Sequence, residues 1–401
     1  MPDTKAQASI KEHASFASIL LIFLRLGLTS FGGPVAHLGY FREEFVNRRR
    51  WLSEQHYADL VALCQFLPGP ASSQVGLALG LSRGGFKGAL AAWCGFTLPS
   101  ALVLILVAYG VMSPDSGLPQ GVIHGLKLVA AAVVAQAVWG MAQSMCRGTK
   151  EVALMVAAAA ALLLLPSVWL QPLLLLLAGV IGVFLFPARP LNDQTHLPIR
   201  VSPRLGAALL LVFFVLLPGL PLLSAMVSSP ALTLFDLFYR AGSLVFGGGH
   251  VVLPLLQAET VLPGHVSEDL FLAGYGAAQA VPGPLFTFAA YLGTSMQLLP
   301  GWLGGVIALV AIFAPSFLLV AGVLPFWHRL GRNRPVRSAL VAINAAVVGL
   351  LLAALYDPIW TSSVRSGVDF ALVLLAFVAL QLWKLPVWLL VPLFALGGWL
   401  L

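Results

Sequence analysis

Across 401 residues only 9% of positions carry a charged side chain and 59% a hydrophobic one, whereas a soluble globular chain is roughly a quarter charged. This composition excludes a soluble protein and puts the chain in a lipid bilayer. The net charge of +7 does not point to nucleic acid, because the basic residues gather in short polar segments between apolar runs, as cytoplasmic loops of membrane proteins do.

The first fifteen residues are polar, and the apolar run that follows ends in Phe31-Gly32-Gly33-Pro34 without a small-residue cleavage site, so no signal peptide is expected. The runs Phe16 to Phe31, Glu54 to Leu67 and Ala71 to Leu81 are each too short to cross about 30 Å of hydrocarbon. Lys11 and Arg48 to Arg50 flank the first block, and Arg50 and Arg83 the second, so each predicts a helical hairpin that enters from the cytoplasmic side and returns. From Gly88 almost to Leu401, apolar stretches of spanning length recur. Three of them, at about 152–165, 170–187 and 205–225, share the middle of the chain with a basic linker at 188–204. Weakly charged connections at 112–119, 166–172, 226–233, 249–266, 299–303 and 357–366 mark the outer side. Cys64, Cys94 and Cys146 stand far apart in apolar surroundings, without disulfide or metal spacing.

The later blocks repeat the earlier ones. FLRLGLTSFGG (Phe23 to Gly33) is matched by FYRAGSLVFGG (Phe238 to Gly248), which aligns Arg25 with Arg240 and Gly32-Gly33 with Gly247-Gly248. Ser53-Glu54 matches Ser267-Glu268, Gln65-x-x-Pro68-Gly69-Pro70 matches Gln279-x-x-Pro282-Gly283-Pro284, and Pro99-Ser100 matches Pro315-Ser316. The loop charges are reversed: Arg83 and Lys87 follow the second block in the first copy, whereas Leu299 to Leu303 is uncharged and the next loop carries four arginines. Inverted copies need an odd number of crossings between them, and the three middle spans supply it. The expected fold is an all-α polytopic membrane protein with two inverted-topology repeats containing broken or re-entrant helical hairpins. Its parts are a first repeat at 1–150, connecting spans and linker at 151–230, and a second repeat at 231–401.

Breaks at equivalent places of two inverted halves point to a transporter's substrate site. After each Pro-Gly-Pro a new helix begins whose first N–H groups lack intrahelical partners and, with the helix dipole, favour an anion. Ser72, Ser73 and Thr287 lie in that first turn, either donating to an oxyanion or capping their own helices. Gln65 and Gln279 precede the breaks and either orient a ligand or pack between helices. Arg25 and Arg240 stand in apolar segments, where an ionised side chain costs about 2.5–3.5 kcal/mol. A guanidinium suits a tetrahedral oxyanion; the alternative is a carboxylate partner, which Arg240 has in Asp236 and Arg25 lacks in its own turn. His37 and His250, just past the glycine breaks, suit proton coupling or sit neutral. Glu54, Asp59, Glu268 and Asp269 serve in coupling or gating, or in capping behind Ser53 and Ser267, and His124 and Lys127 are weaker candidates. The first break, with Ser72, Ser73 and Gln74, is expected to bind more strongly than the second, where Leu285, Phe286 and Phe288 leave Thr287 alone. No P-loop, G-x-S-x-G or HExxH occurs, so the chain reads as no enzyme.

Residues 22–34 and 51–80, with their echoes at 237–249 and 267–293, resemble the chromate ion transporter (CHR) family in its long two-domain bacterial form. The resemblance covers nearly the whole chain, and it implies a secondary transporter that exports chromate from the cytoplasm as an antiporter driven by the proton motive force, conferring chromate resistance. It implies the bacterial inner membrane, and the charge pattern puts the N-terminus in the cytoplasm. The second copy departs from the pattern with Gly249 in the place of Pro34. A permease for sulfate or another oxyanion stays open, since chromate and sulfate are both tetrahedral dianions. So does a non-transporting membrane scaffold, although a scaffold has no need of broken helices and paired arginines. The expected partners are a chromate- or sulfate-like oxyanion and lipid, with a homodimer left open, no nucleic acid and no cofactor.

Overall fold

Hydrocarbon offers no partner to a backbone N–H or C=O, which favours helices that satisfy both internally. The computed structural model describes residues 14–112, 120–165, 167, 170–186, 199, 201–331 and 333–400, and among these the chain is helical with no strand. The polar N-terminal segment, most of the 112–119 loop and of the 188–204 linker, and Arg332 lie outside the described residues.

The first copy opens with α1 (Phe16–Thr29), α2 (Gly33–Arg42), which runs on into a π-helical turn at Glu43–Arg48, and α3 (Glu54–Phe66). Then come α4 (Ala71–Met112) and α5 (Gln120–Met145). The middle of the chain forms α6 (Thr149–Leu164), α7 (Leu170–Leu185) and α8 (Pro203–Met226), close to the three expected spans. The second copy holds α9 (Pro230–Leu244), α10 (Val252–Thr260), α11 (Glu268–Ala280), α12 (Phe288–Ser295), α13 (Trp302–Val323) and α14 (Arg334–Ala354). The chain closes with α15 (Gly367–Gln381) and α16 (Val387–Leu400). Among the described residues five stretches are long and apolar enough to cross a membrane: Ala71–Met112, Gln120–Met145, Pro203–Met226, Trp302–Leu330 and Arg334–Ser363. The chain is an all-α, multi-pass membrane protein.

Local rules account for the element ends. Ser53 accepts a hydrogen bond from the His56 amide and Ser267 one from the Leu270 amide, so both are N-caps, as read from the sequence. Within α4 the helical angles fail at Gly84 and Gly85, and the chain folds back there. A Cβ on Gly80 would strike the Gly88 carbonyl and one on Gly88 the Gly80 carbonyl, so the 71–83 arm lies tightly on the 86–112 arm. Gly293 on α12 and Gly304 on α13 meet in the same way in the second copy.

Equivalent helices also pack on equivalent neighbours. α1 lies along α4 as α9 lies along α13, while α14 packs on α6 and α7, and α5 on α15 and α16. Leu211, Phe214, Leu222 and Met226 on α8 stay exposed, as befits a helix that faces lipid.

Candidate substrate site

Each Pro-Gly-Pro break is built from both halves. Gly69 and Gly283 take positive φ angles of 121° and 92°, which turns their amides toward the opposite copy. The Gly69 N–H donates to the Val245 carbonyl at 2.7 Å, and the Gly283 N–H to the Ser30 carbonyl at 2.9 Å. Val245 and Ser30 immediately precede the two Phe-Gly-Gly blocks, so each break of one copy is tied to the break of the other. The glycine amides are therefore engaged and not free for an anion.

The carbonyls released by proline are satisfied by side chains. Gln74 donates to the Pro68 carbonyl at 2.6 Å and to Ser316 Oγ at 3.4 Å, and Ser100 donates to the Pro282 carbonyl. Ser100 and Ser316 occupy equivalent positions after Pro99 and Pro315. Their pairing was visible as a sequence match, but nothing local assigns them to a break lying far away in sequence.

A cavity of about 270 Å³ opens where the breaks meet, lined by Phe31, Gly32, Gly33 and Pro34 of the first copy and by His250, Gln279, Gly283 and Leu285 of the second. Phe31 closes one side against Trp388, with ring centroids 5.8 Å apart. Gln279 lines the cavity, and its Nε2 atom is buried beside the Tyr275 side chain. His250 Nδ1 lies 2.8 Å from the Tyr275 hydroxyl. The cavity thus collects Gly32, Gly33, His250, Gln279 and Gly283 from the sequence candidates.

The remaining candidates lie elsewhere. Ser72 Oγ is 3.3 Å from His37 Nδ1, and His37 Nε2 is 3.2 Å from the Ser30 carbonyl. Ser73 Oγ is buried without a partner, Gln65 is exposed, and Thr287 donates back to the Pro284 carbonyl at 2.7 Å. Gly247 and Gly248 link α9 to a 3-10 turn at Gly249–Val251, with Met141 and Met145 beside Gly247. The first break, richer in polar side chains, is filled by them; the open space lies at the second.

Both arginines have carboxylate partners. Arg25 is 3.4 Å from Glu44, and Arg240 is 3.1 Å from Asp236 and 2.6 Å from Glu259. The partners Glu44 and Glu259 each lie 19 residues beyond their arginine. That equal spacing in the two copies is the signal that the sequence reading passed over, since it exceeds any same-helix neighbour rule. Glu54 pairs with Arg42 at 2.7 Å on the surface. Glu268 sits in the first turn of α11, where its neighbour Asp269 holds the buried Lys127 at 2.6 Å, and His124 meets Asp369 at 2.8 Å.

Fold and site define a multi-pass membrane protein with an internal cavity assembled from the broken segments of two similar halves. Residues 17–183 and 232–399 match the family profile described as chromate transporter, and the chain belongs to the chromate transporter family. The first matched stretch runs through α6 and α7, and α8 falls between the two stretches. The chain is 27% identical over 350 residues to an uncharacterized transporter of Methanocaldococcus jannaschii, covering 86% of this chain and 84% of that one. It is 26% identical over 394 residues to a chromate transport protein of Cupriavidus metallidurans, covering 95% and 91%. A chromate transport protein of Pseudomonas aeruginosa is 27% identical over 409 residues, covering 96% and 92%. No solved structure matches the chain.

Proposed function

We propose that this protein is a secondary transporter that exports chromate from the cytoplasm across the bacterial inner membrane, coupled to the proton motive force. Its N-terminus is cytoplasmic, and the copies at 1–150 and 231–401 lie inverted about the connecting segment 151–230. The observation that carries the reading is the cavity between the Phe31-Gly32-Gly33-Pro34 break and the Gln279-to-Leu285 break, where broken segments of the two copies meet. Among the described residues no lysine or arginine lines this cavity, so no buried cation has to be uncovered when a dianion leaves. The chromate transport proteins among the relatives support the substrate. Alternating access follows if one copy rocks against the other about the crossed Gly69–Val245 and Gly283–Ser30 hydrogen bonds.

Everted membrane vesicles, whose interior stands for the outside, test the reading. They should accumulate labelled chromate when a proton gradient is imposed, with sulfate competing. Gln279→Leu should raise the KM for chromate while inserting normally. Accumulation of sulfate but not chromate would make the protein a sulfate permease. Single-cysteine labelling from outside should modify position 116 and spare position 333; equal labelling would remove the inverted arrangement.

A further inference from the structure

The two equivalent arginine–glutamate pairs differ in their balance of charge. In the first copy Glu44 is held by three guanidiniums, Arg25 at 3.4 Å, Arg48 at 3.2 Å and Arg49 at 2.6 Å. In the second copy one guanidinium, Arg240, serves two carboxylates, and the side chains of Asp236 and Glu259 are only 4% and 12% exposed. Ionised throughout, this triad carries one unmatched negative charge. A charge held away from water without compensation is costly, so such a site favours whatever neutralises it.

The surroundings narrow the choice. Arg240 and Glu259 line a cavity of about 550 Å³ between α7, α8, α9 and α10, to which α8 gives Leu217, Pro218, Pro221 and Leu222. Gln171, on the α7 side and 9% exposed, donates its Nε2 to the Pro254 carbonyl at 3.2 Å and leaves Oε1 buried without a partner. An acceptor without a donor, on a residue lining the same cavity as a surplus carboxylate, calls for a bound positive charge or an O–H and repels an anion. Among the described residues Arg240 and Glu259 are the charged groups that line this cavity. α7 and α8 contribute none to the cavity wall. The charges of α14, which also packs on α10, are Arg334 and Arg337 in its opening turn. His250, in the turn leading into α10, is bonded to Tyr275.

We infer that Asp236, Arg240 and Glu259 form a proton-binding site separate from the substrate cavity, with Glu259 as the carrier. Uptake forms an O–H bond on the Glu259 carboxyl, cancels the surplus charge and leaves Arg240 matched to Asp236 alone; release reverses it. The inference rests on the reading above that transport is coupled to protons.

The test uses the full chain, purified and reconstituted in lipid vesicles with labelled chromate, in two assays: accumulation against a gradient driven by a pH difference, and chromate counterflow without any pH difference. The wild type should do both. Glu259→Gln, which holds the triad permanently neutral at nearly unchanged volume, should lose pH-driven accumulation and keep counterflow. Asp236→Asn, which removes the same charge from the other carboxylate, should show the same split. Accumulation by Glu259→Gln at the wild-type level overturns the site while leaving proton coupling intact. Loss of counterflow in both variants makes the triad structural and overturns the proposal. Wild-type counterflow with no response to a pH difference overturns proton coupling itself, and this site with it. Accumulation driven by a sodium gradient in place of a pH gradient overturns the proton in favour of a metal cation.

Discussion

Replacing Gly283 by alanine tests whether the crossed breaks set the geometry of the cavity. Gly283 lies at φ 92°, and a Cβ there would stand 2.6 Å from Ser100 Oγ and 3.1 Å from the Phe96 carbonyl. Left-handed backbone costs a non-glycine residue about 1–2 kcal/mol, and overpacking adds about 1–3 kcal/mol, for a total of about 2–5 kcal/mol. At about 1.4 kcal/mol per tenfold, that is more than a tenfold penalty on the geometry seen here. Gly33 provides the control, since it also has a positive φ, 77°, but nothing within 4 Å of its Cβ position. Gly33→Ala should therefore cost only about 1–2 kcal/mol. The assay is initial chromate uptake into everted vesicles, normalised to the protein present in the membrane, together with thermal unfolding in detergent. Gly283→Ala should be clearly the weaker of the two in both measurements. Equal effects of Gly283→Ala and Gly33→Ala would refute the reasoning, because backbone strain alone would then explain both.

Arg240→Gln strands two buried carboxylates and should cost about 3–5 kcal/mol. Arg25, whose side chain is 57% exposed, leaves Glu44 with two other arginines, so Arg25→Gln should cost about 0–1 kcal/mol; thermal unfolding in detergent should rank them in that order, and the reverse order would contradict the pairing. Lys127 is buried with a 3% exposed side chain, whereas its partner Asp269 is 64% exposed. Asp269→Asn, which strands a buried ammonium, should therefore lower the melting temperature more than Lys127→Met, which strands a carboxylate in water.

Much of the architecture follows from short-range rules. Helix starts at Ser53 and Ser267, helix ends at the Pro-Gly-Pro motifs and the positions of helices α6 to α8 depend on residues a few positions apart, although of those three helices α8 alone is long and apolar enough to cross a membrane. The site was less legible, because polar content does not reveal which group satisfies which. Ser72, Ser73 and Gln74 made the first break look the better anion site, yet Gln74 reaches back to the Pro68 carbonyl and fills the space. The second copy has Phe288 at that position. Its ring packs on Phe271 and Tyr275, with centroids 5.3 and 5.8 Å away. Ser100 of the other copy then satisfies Pro282, and the open space lies beside this second break. Likewise the Arg25–Glu44 pair joins different helical segments, where same-helix neighbours gave no hint of it.

The crossed hydrogen bonds also bear on how the chain is made. Gly69 leaves the ribosome roughly 180 residues before Val245, about 10–35 s at about 5–20 residues per second. Throughout that interval the first Pro-Gly-Pro break lacks the acceptor it has in the finished protein. The nascent first half must therefore wait in the bilayer with an unpaired amide, sheltered by lipid headgroups, water or the insertion machinery. Two halves synthesised as separate chains would face the same wait, and each would be completed only by meeting the other.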